Sequence, residues 1–196
     1  MNKSLLSTRN LVMTAVSIAF CLILPMLVRI IPNGGVMFSP MHIPVLIAGL
    51  TFGWPAGLIT GIIGPLLSSV VTSMPPTPVL PGMMVELAVY GFVTGRMING
   101  PFRNKRNYRN LYISLVVAML VGRVVAGLVH GLLFSAGQGY SLKMWVTSYF
   151  ISSFPAIVLQ LLIIPSIVIA LTRADLAAPA GLVALYEPLD VPIVVC

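Results

Sequence analysis

Apolar residues in this chain run in blocks too long for strands, broken by clusters of Pro, Gly and charge. Six blocks stand out, at 11–31, 36–53, 56–73, 82–99, 111–136 and 145–172. Roughly 20 apolar residues cross a hydrocarbon core about 30 Å thick, so each block has about the length of one span. The pattern predicts an all-α integral membrane protein with six transmembrane helices. Pro44, Pro55, Pro65, Pro155 and Pro165 fall within the blocks and predict kinked or broken spans. A membrane tolerates such breaks where neighbouring helices or water satisfy the freed carbonyls.

Composition agrees with the pattern. The chain is 58% hydrophobic and 8% charged over 196 residues, where soluble domains carry about 25% charged residues. Mean hydropathy is +1.04, and the spans leave no room for a separate soluble domain. Cys21 and Cys196 are too far apart in the chain to suggest a disulfide framework or a zinc site. The first block reads as a retained span, because Lys3 and Arg9 precede a run too long for a signal-peptide core and no Ala-x-Ala site follows. Bulky Phe20, just before Cys21, argues against a lipoprotein.

Charge sets the expected orientation. With a cytoplasmic N-terminus, Lys3, Arg9, Arg96, Arg103, Lys105, Arg106, Arg109 and Arg173 fall inside, while Arg29 and Lys143 fall near the outside. The net charge of +7 therefore reads as topology and anionic-lipid contact, and nucleic acid is not expected as a partner. The outer loop 137–145 offers Tyr140 and Trp145 to the interface. The membrane domain is expected over 1–174. Residues 175–196, broken by Pro179, Pro188 and Pro192 and holding Asp175, Glu187 and Asp190, read as a cytoplasmic extension of unassigned role.

Small residues recur at helical spacing. Gly57, Gly61, Gly64, Ser68 and Thr72 make one narrow face, and Ala15 and Ala19 make a shorter one. Such faces let membrane helices approach closely without a hydrophobic driving force. On residue pattern alone, packing within the bundle accounts for them.

Ionisable groups at membrane depth are the more informative feature, because a charge there is costly enough to count as a functional candidate. Glu86, Arg123 and His130 are the three. Counted from the outer ends of their blocks, Glu86 and His130 lie level, roughly 6 to 9 Å deep, and Arg123 lies deeper, at roughly 20 Å. Arg123, Gly127, His130 and Phe134 share one helix face, and Tyr149, Ser153, Ala156 and Gln160 share a face of the last block. These two faces form candidate walls of a cavity open to the outside. The structural alternatives are that Arg123 pairs with backbone carbonyls or snorkels, and that His130 and Gln160 are ordinary interhelical hydrogen bonders.

Catalytic signatures are missing. The sequence has no G-x-x-x-x-G-K-[ST] loop, no H-E-x-x-H and no G-x-S-x-G. Ser68, Ser69, Ser152 and Ser153 have only His130 as a plausible base. A binding subunit without its own power source fits better than an enzyme, and no cofactor or metal is expected in this chain.

The stretches "RNLVMTAVSIAFCLILP", "FSPMHIPVLIAGLTFGWPAGLITGIIGPLLSS" and "MPPTPVLPGMMVELAVYGFVTGRM" resemble the substrate-binding S components of energy-coupling factor (ECF) vitamin transporters, over roughly 8–173. The resemblance implies an S-component bundle in a bacterial plasma membrane, both termini cytoplasmic, that captures a vitamin or related micronutrient outside. It implies partners as well: one membrane T subunit and two cytoplasmic ATPases that use ATP. The family's A-x-x-x-A motif falls on Ala15 and Ala19, which become a face for the T subunit. The loop 31–40 becomes a lid with Asn33, Gly34 and Phe38, followed by His42, and the pocket walls become Glu86, Tyr90, Arg123, His130, Phe134, Tyr149 and Ser153. Toppling of the whole component as a unit is the implied transport motion. Three ligands fit the expected pocket: a cobalamin-like corrinoid, a pyridoxine-type ring, and pantothenate with its carboxylate on Arg123 or Arg29. Two other function classes stand beside this reading, a secondary transporter or channel using Glu86, His130 and Arg123 as an ion relay, and an intramembrane enzyme.

Overall fold

The computed structural model describes residues 8–28, 30–31, 34–101, 108–134, 143 and 146–173. Among the described residues every regular element is helical: α1 (Thr8–Val28), α2 (Gly34–Phe38), α3 (His42–Phe52), α4 (Trp54–Thr72), α5 (Leu80–Asn99), α6 (Tyr108–Phe134), a π-helical turn (Thr147–Ile151) and α7 (Phe154–Arg173). The segment 175–196 lies outside the described residues, as do Asn33, Tyr140 and Trp145.

Six helices, α1 and α3 to α7, build the bundle, and α1, α4, α6 and α7 are long and apolar enough to cross a membrane. The expected span 36–53 is corrected. It is two pieces, α2 and α3, with Ser39 at φ +42° between them. Pro40 disfavours a helical conformation in the residue before it, so the chain turns at Ser39 and starts again at His42. The resulting α3 has 11 residues, or about 17 Å of helix, too little to span alone. The lid expected as loop is likewise partly helical, and its Gly34 is buried against Val28.

Short as it is, α3 is the centre of the fold. It is buried from Pro44 through Phe52 and packs against α1, α4, α5 and α7. The close pairs fix the directions: Gly57 with Gly91, Gly61 with Leu87, Gly82 with His130, and Gly122 with Tyr90. Thus α4 and α6 run against α5. We call the end of the bundle where α1 finishes and α5 begins its upper end.

Glycine decides how α3, α4 and α5 meet. The turn from α3 to α4 is the single residue Gly53, at φ +96°, a conformation that L side chains rarely adopt. Immediately beyond it, the α4 stripe lies backbone to backbone on its neighbours. A Cβ at Gly57 would stand 2.5 Å from Gly91 O and 2.8 Å from Gly49 Cα. One at Gly64 would stand 2.9 Å from Cys21 of α1. The small face of α4 is therefore consumed by packing on three helices at once.

Prolines break less than their number predicts. Pro44, Pro55 and Pro155 occupy the first turns of α3, α4 and α7, where the missing N–H has no helical partner to lose. Pro25, Pro65 and Pro165 lie within helices.

Gly57→Leu is expected to overpack the α3–α4–α5 junction by about 1–3 kcal/mol or more and to lower the apparent melting temperature in detergent. Gly35→Ala, where an added Cβ meets nothing within 4 Å, is expected to leave it unchanged. Size-exclusion thermostability of the two variants checks the contrast.

Candidate functional site

Most polar side chains in the spans answer to their own helix. Thr14, Ser17, Thr51, Thr60, Thr94, Ser114 and Thr172 each donate to the carbonyl four residues back. A hydroxyl satisfied in this way needs nothing from a neighbour. Such residues are removed from the list of candidates, and a small set that reaches between helices remains.

Glu86 and Tyr90 are one turn apart on α5, and both are buried. Tyr90 Oη donates to Glu86 Oε1 at 2.8 Å. From α6, Arg123 Nε donates to the same phenol oxygen at 3.2 Å, and its Nη1 donates to Ser153 Oγ, at the head of α7, at 3.0 Å. From α3, His42 Nε2 stands 3.6 Å from Glu86 Oε1, and its ring lies 5.3 Å from that of Tyr90. Four elements thus converge on one buried cluster, joined through a single tyrosine hydroxyl.

Local structure explains each placement. Gly122 gives the Tyr90 ring a bare stretch of α6 backbone to lie on. The π-helical turn, closed by Ser152 N donating to Thr147 O at 2.8 Å, brings Phe150 and Ser153 to the same cation. The Arg123 guanidinium carbon lies 5.6 Å from the Phe150 ring centroid, within cation–π range. Arg123 is 3% exposed and Glu86 6%. An unpaired charge at this depth costs about 3 kcal/mol or more, and the tyrosine bridge lets the two charges offset each other.

The depth expectation is corrected here. Arg123 does not stand apart from Glu86; it joins that carboxylate through Tyr90. His130 meets Gly82, one turn above Glu86, with its ring filling the space a side chain there would take. Its Nδ1 lies 3.0 Å from Ala126 O, and since a carbonyl only accepts, Nδ1 carries the proton. Along the helix axes Arg123 lies below Glu86 as counted, whereas His130 lies a turn above it and not level; the Glu86 carboxylate is engaged by Tyr90, a turn below it on α5, so the polar partners meet lower than the backbone levels suggest.

On α7, Ser153, Ala156 and Gln160 form a buried stripe as their spacing predicts. Phe38 is half-buried on α2, and Gly34 is buried at its start. The side chains of Phe134 and Tyr149, and all of Asn33 and Arg29, lie outside the described residues. Ala15 and Ala19 face outward on α1 together with Leu11, Val12, Val16, Phe20 and Ile23. Of the spanning helices α1 buries the least, 17% of its apolar window against 39% for α4 and α6.

Three of the four serines considered as nucleophiles are otherwise engaged. Ser69 donates to Pro75 O at 2.9 Å, Ser68 lies 3.4 Å from the Thr72 hydroxyl, and Ser153 accepts from Arg123.

A sequence profile of the family described as "ECF transporter, substrate-specific component" matches residues 9–169. The chain belongs to that family. No curated protein and no solved structure matches the chain. The S component is accordingly a multi-pass membrane protein and a transporter subunit.

Two participants in the cluster escaped the sequence reading, Phe150 and the glycine shelf at Gly122. The second had a partial signal, since a glycine within a membrane helix marks where a neighbour can approach closely. The first had none, because the π turn changes which residues of the segment face inward.

Tyr90→Phe removes the hydroxyl joining Glu86 to Arg123 and is expected to destabilise this S component by about 1–3 kcal/mol. Glu86→Gln and Arg123→Gln alone are expected to cost about 3 kcal/mol or more each, by leaving one buried charge unpaired. The double variant is expected to lose clearly less than their sum, as read from melting temperatures of all four proteins in one detergent.

Proposed function

We propose that this S component captures a vitamin or related micronutrient from outside the cell at the cluster of His42, Glu86, Tyr90, Arg123 and Ser153, beneath the 31–40 segment. The observation that carries the reading is the convergence of α3, α5, α6 and α7 on one buried polar cluster in a bundle whose other hydroxyls are largely satisfied within their own helices. Buried ionisable groups facing a bundle interior mark substrate sites by default. His130 lies one turn above Glu86, and Asn33, Gly34, Phe38, Phe134 and Tyr149 are proposed as further ligand contacts. Corrinoid, pyridoxine-type and pantothenate ligands are the candidates.

In the same reading the upper end faces the outside of a bacterial plasma membrane, with both termini cytoplasmic, as the basic residues at 96–110 favour. The chain itself uses no cofactor, and ATP is hydrolysed by two ATPase subunits reached through a membrane T subunit. The exposed face of α1 centred on Ala15 and Ala19 is the docking surface. Its small residues allow close approach by another helix, and the surrounding apolar side chains leave room for it. The glycine junction of α3, α4 and α5 suits a body that moves as a unit when it topples.

Co-expression with T and ATPase subunits checks the assembly. Ala15→Trp with Ala19→Trp is expected to cut recovery of the ATPases on the S component at least tenfold while the melting temperature of the isolated protein stays unchanged. Undiminished recovery removes α1 as the docking helix.

A further inference from the structure

Resting on the solute-binding reading of the cluster, its balance of charge and of hydrogen bonds says what kind of solute it takes. Glu86 and Arg123 are the charged side chains of the site, and a single phenol hydroxyl lies between them. The Glu86 carboxylate and the Arg123 guanidinium offset each other. An anion bound at Arg123 would enter beside the Glu86 carboxylate, whose like charge opposes it. A cation at Glu86 would meet Arg123 in the same way. Neither charge is spare.

Hydrogen-bonding capacity is spare elsewhere. The Gln160 side chain is fully buried, and both its Oε1 and Nε2 lack a hydrogen-bond partner among the described residues. His42 Nδ1, on the ring edge turned away from Glu86, is buried and unpartnered too. Gln160 lies two turns below Ser153 on the same face of α7, and α7 packs against α3, which carries His42. Buried amides are nearly always paired, and an unpaired one is worse for the fold than an apolar side chain of the same shape. A carboxamide retained there offers a ligand one donor and one acceptor side by side.

We propose that the site takes an uncharged, hydrogen-bonding solute met by the Gln160 carboxamide and His42 Nδ1, with Glu86 and Arg123 serving as each other's counter-charge. The probes are pantothenate and pantothenol, which differ in carboxylate against hydroxymethyl, together with pyridoxine and cyanocobalamin, titrated against the full chain in lipid nanodiscs. Any small molecule released from the purified protein on denaturation is identified by mass spectrometry alongside. Wild type is expected to prefer pantothenol to pantothenate at least tenfold, and the released molecule or tightest probe is expected to be uncharged. Glu86→Gln, which leaves Arg123 unbalanced, is expected to shift that preference toward pantothenate at least tenfold, a ratio that does not depend on how much protein folds. Gln160→Leu is expected to weaken the tightest uncharged probe at least tenfold while the ligand-free melting temperature holds or rises; full affinity in this variant overturns the role of Gln160. An anionic released molecule, or pantothenate bound at least as tightly as pantothenol, overturns the charge argument and leaves solute binding intact. A wild type that binds none of the probes and releases nothing overturns the solute-binding reading itself, and the inference with it.

Discussion

Everything at the centre of this bundle turns on the hydroxyl of Tyr90. Hydrocarbon cannot hold a lone guanidinium or a lone carboxylate cheaply, and Arg123 and Glu86 stand on different helices. The phenol accepts from one and donates to the other, so α5 and α6 are held at the distance a tyrosine ring requires. Gly122 meets that requirement by leaving the ring its space. Ser153 takes a further donor of Arg123, and this draws the head of α7 to the same point. His42 approaches the Glu86 carboxylate from α3, which sets where the central short helix must start.

The architecture above this point follows from that start. Since α3 begins at the level of the cluster and not at the upper end of the bundle, the chain between α1 and α3 has to descend into the fold. Pro40 and the turn at Ser39 separate the descent from the helix. Cys21 of α1 donates to Met41 O at 3.8 Å and itself packs on Gly64 of α4, so the descending segment is tied at its lower end to α1.

Much of this is legible in the sequence, and the failures are specific. Block lengths and composition point to the helical membrane class, and the spacing of Ser153, Ala156 and Gln160 points to the buried face of α7. The span 36–53 misleads because apolar content says nothing about whether a run is one helix, while Ser39–Pro40 carries the break in two residues. Glu86, Tyr90 and Arg123 are all legible as candidates, but depth along the helix axes separates Glu86 from Arg123. Long side chains cover more than a helical turn, so partners are set by reach as much as by level. Phe150 is hidden by the π turn, which no local composition announces.

The two small-residue faces show where pattern alone stops. On α4 the stripe at Gly57, Gly61 and Gly64 is covered by α1, α3 and α5; on α1 the pair at Ala15 and Ala19 is left exposed by the described residues. The periodicity is the same in both. What differs is the position of the helix, central for α4 and peripheral for α1. On the buried stripe there is no side chain at all, so backbones touch and the junction has one geometry. The exposed pair keeps its methyl groups and is ringed by Leu11, Val12, Val16 and Phe20, a surface not committed to any helix of the bundle among the described residues. Among the described residues, α1 holds Cys21 inward against Met41 at the start of α3 and leaves its outer side, with Ala15 and Ala19, open.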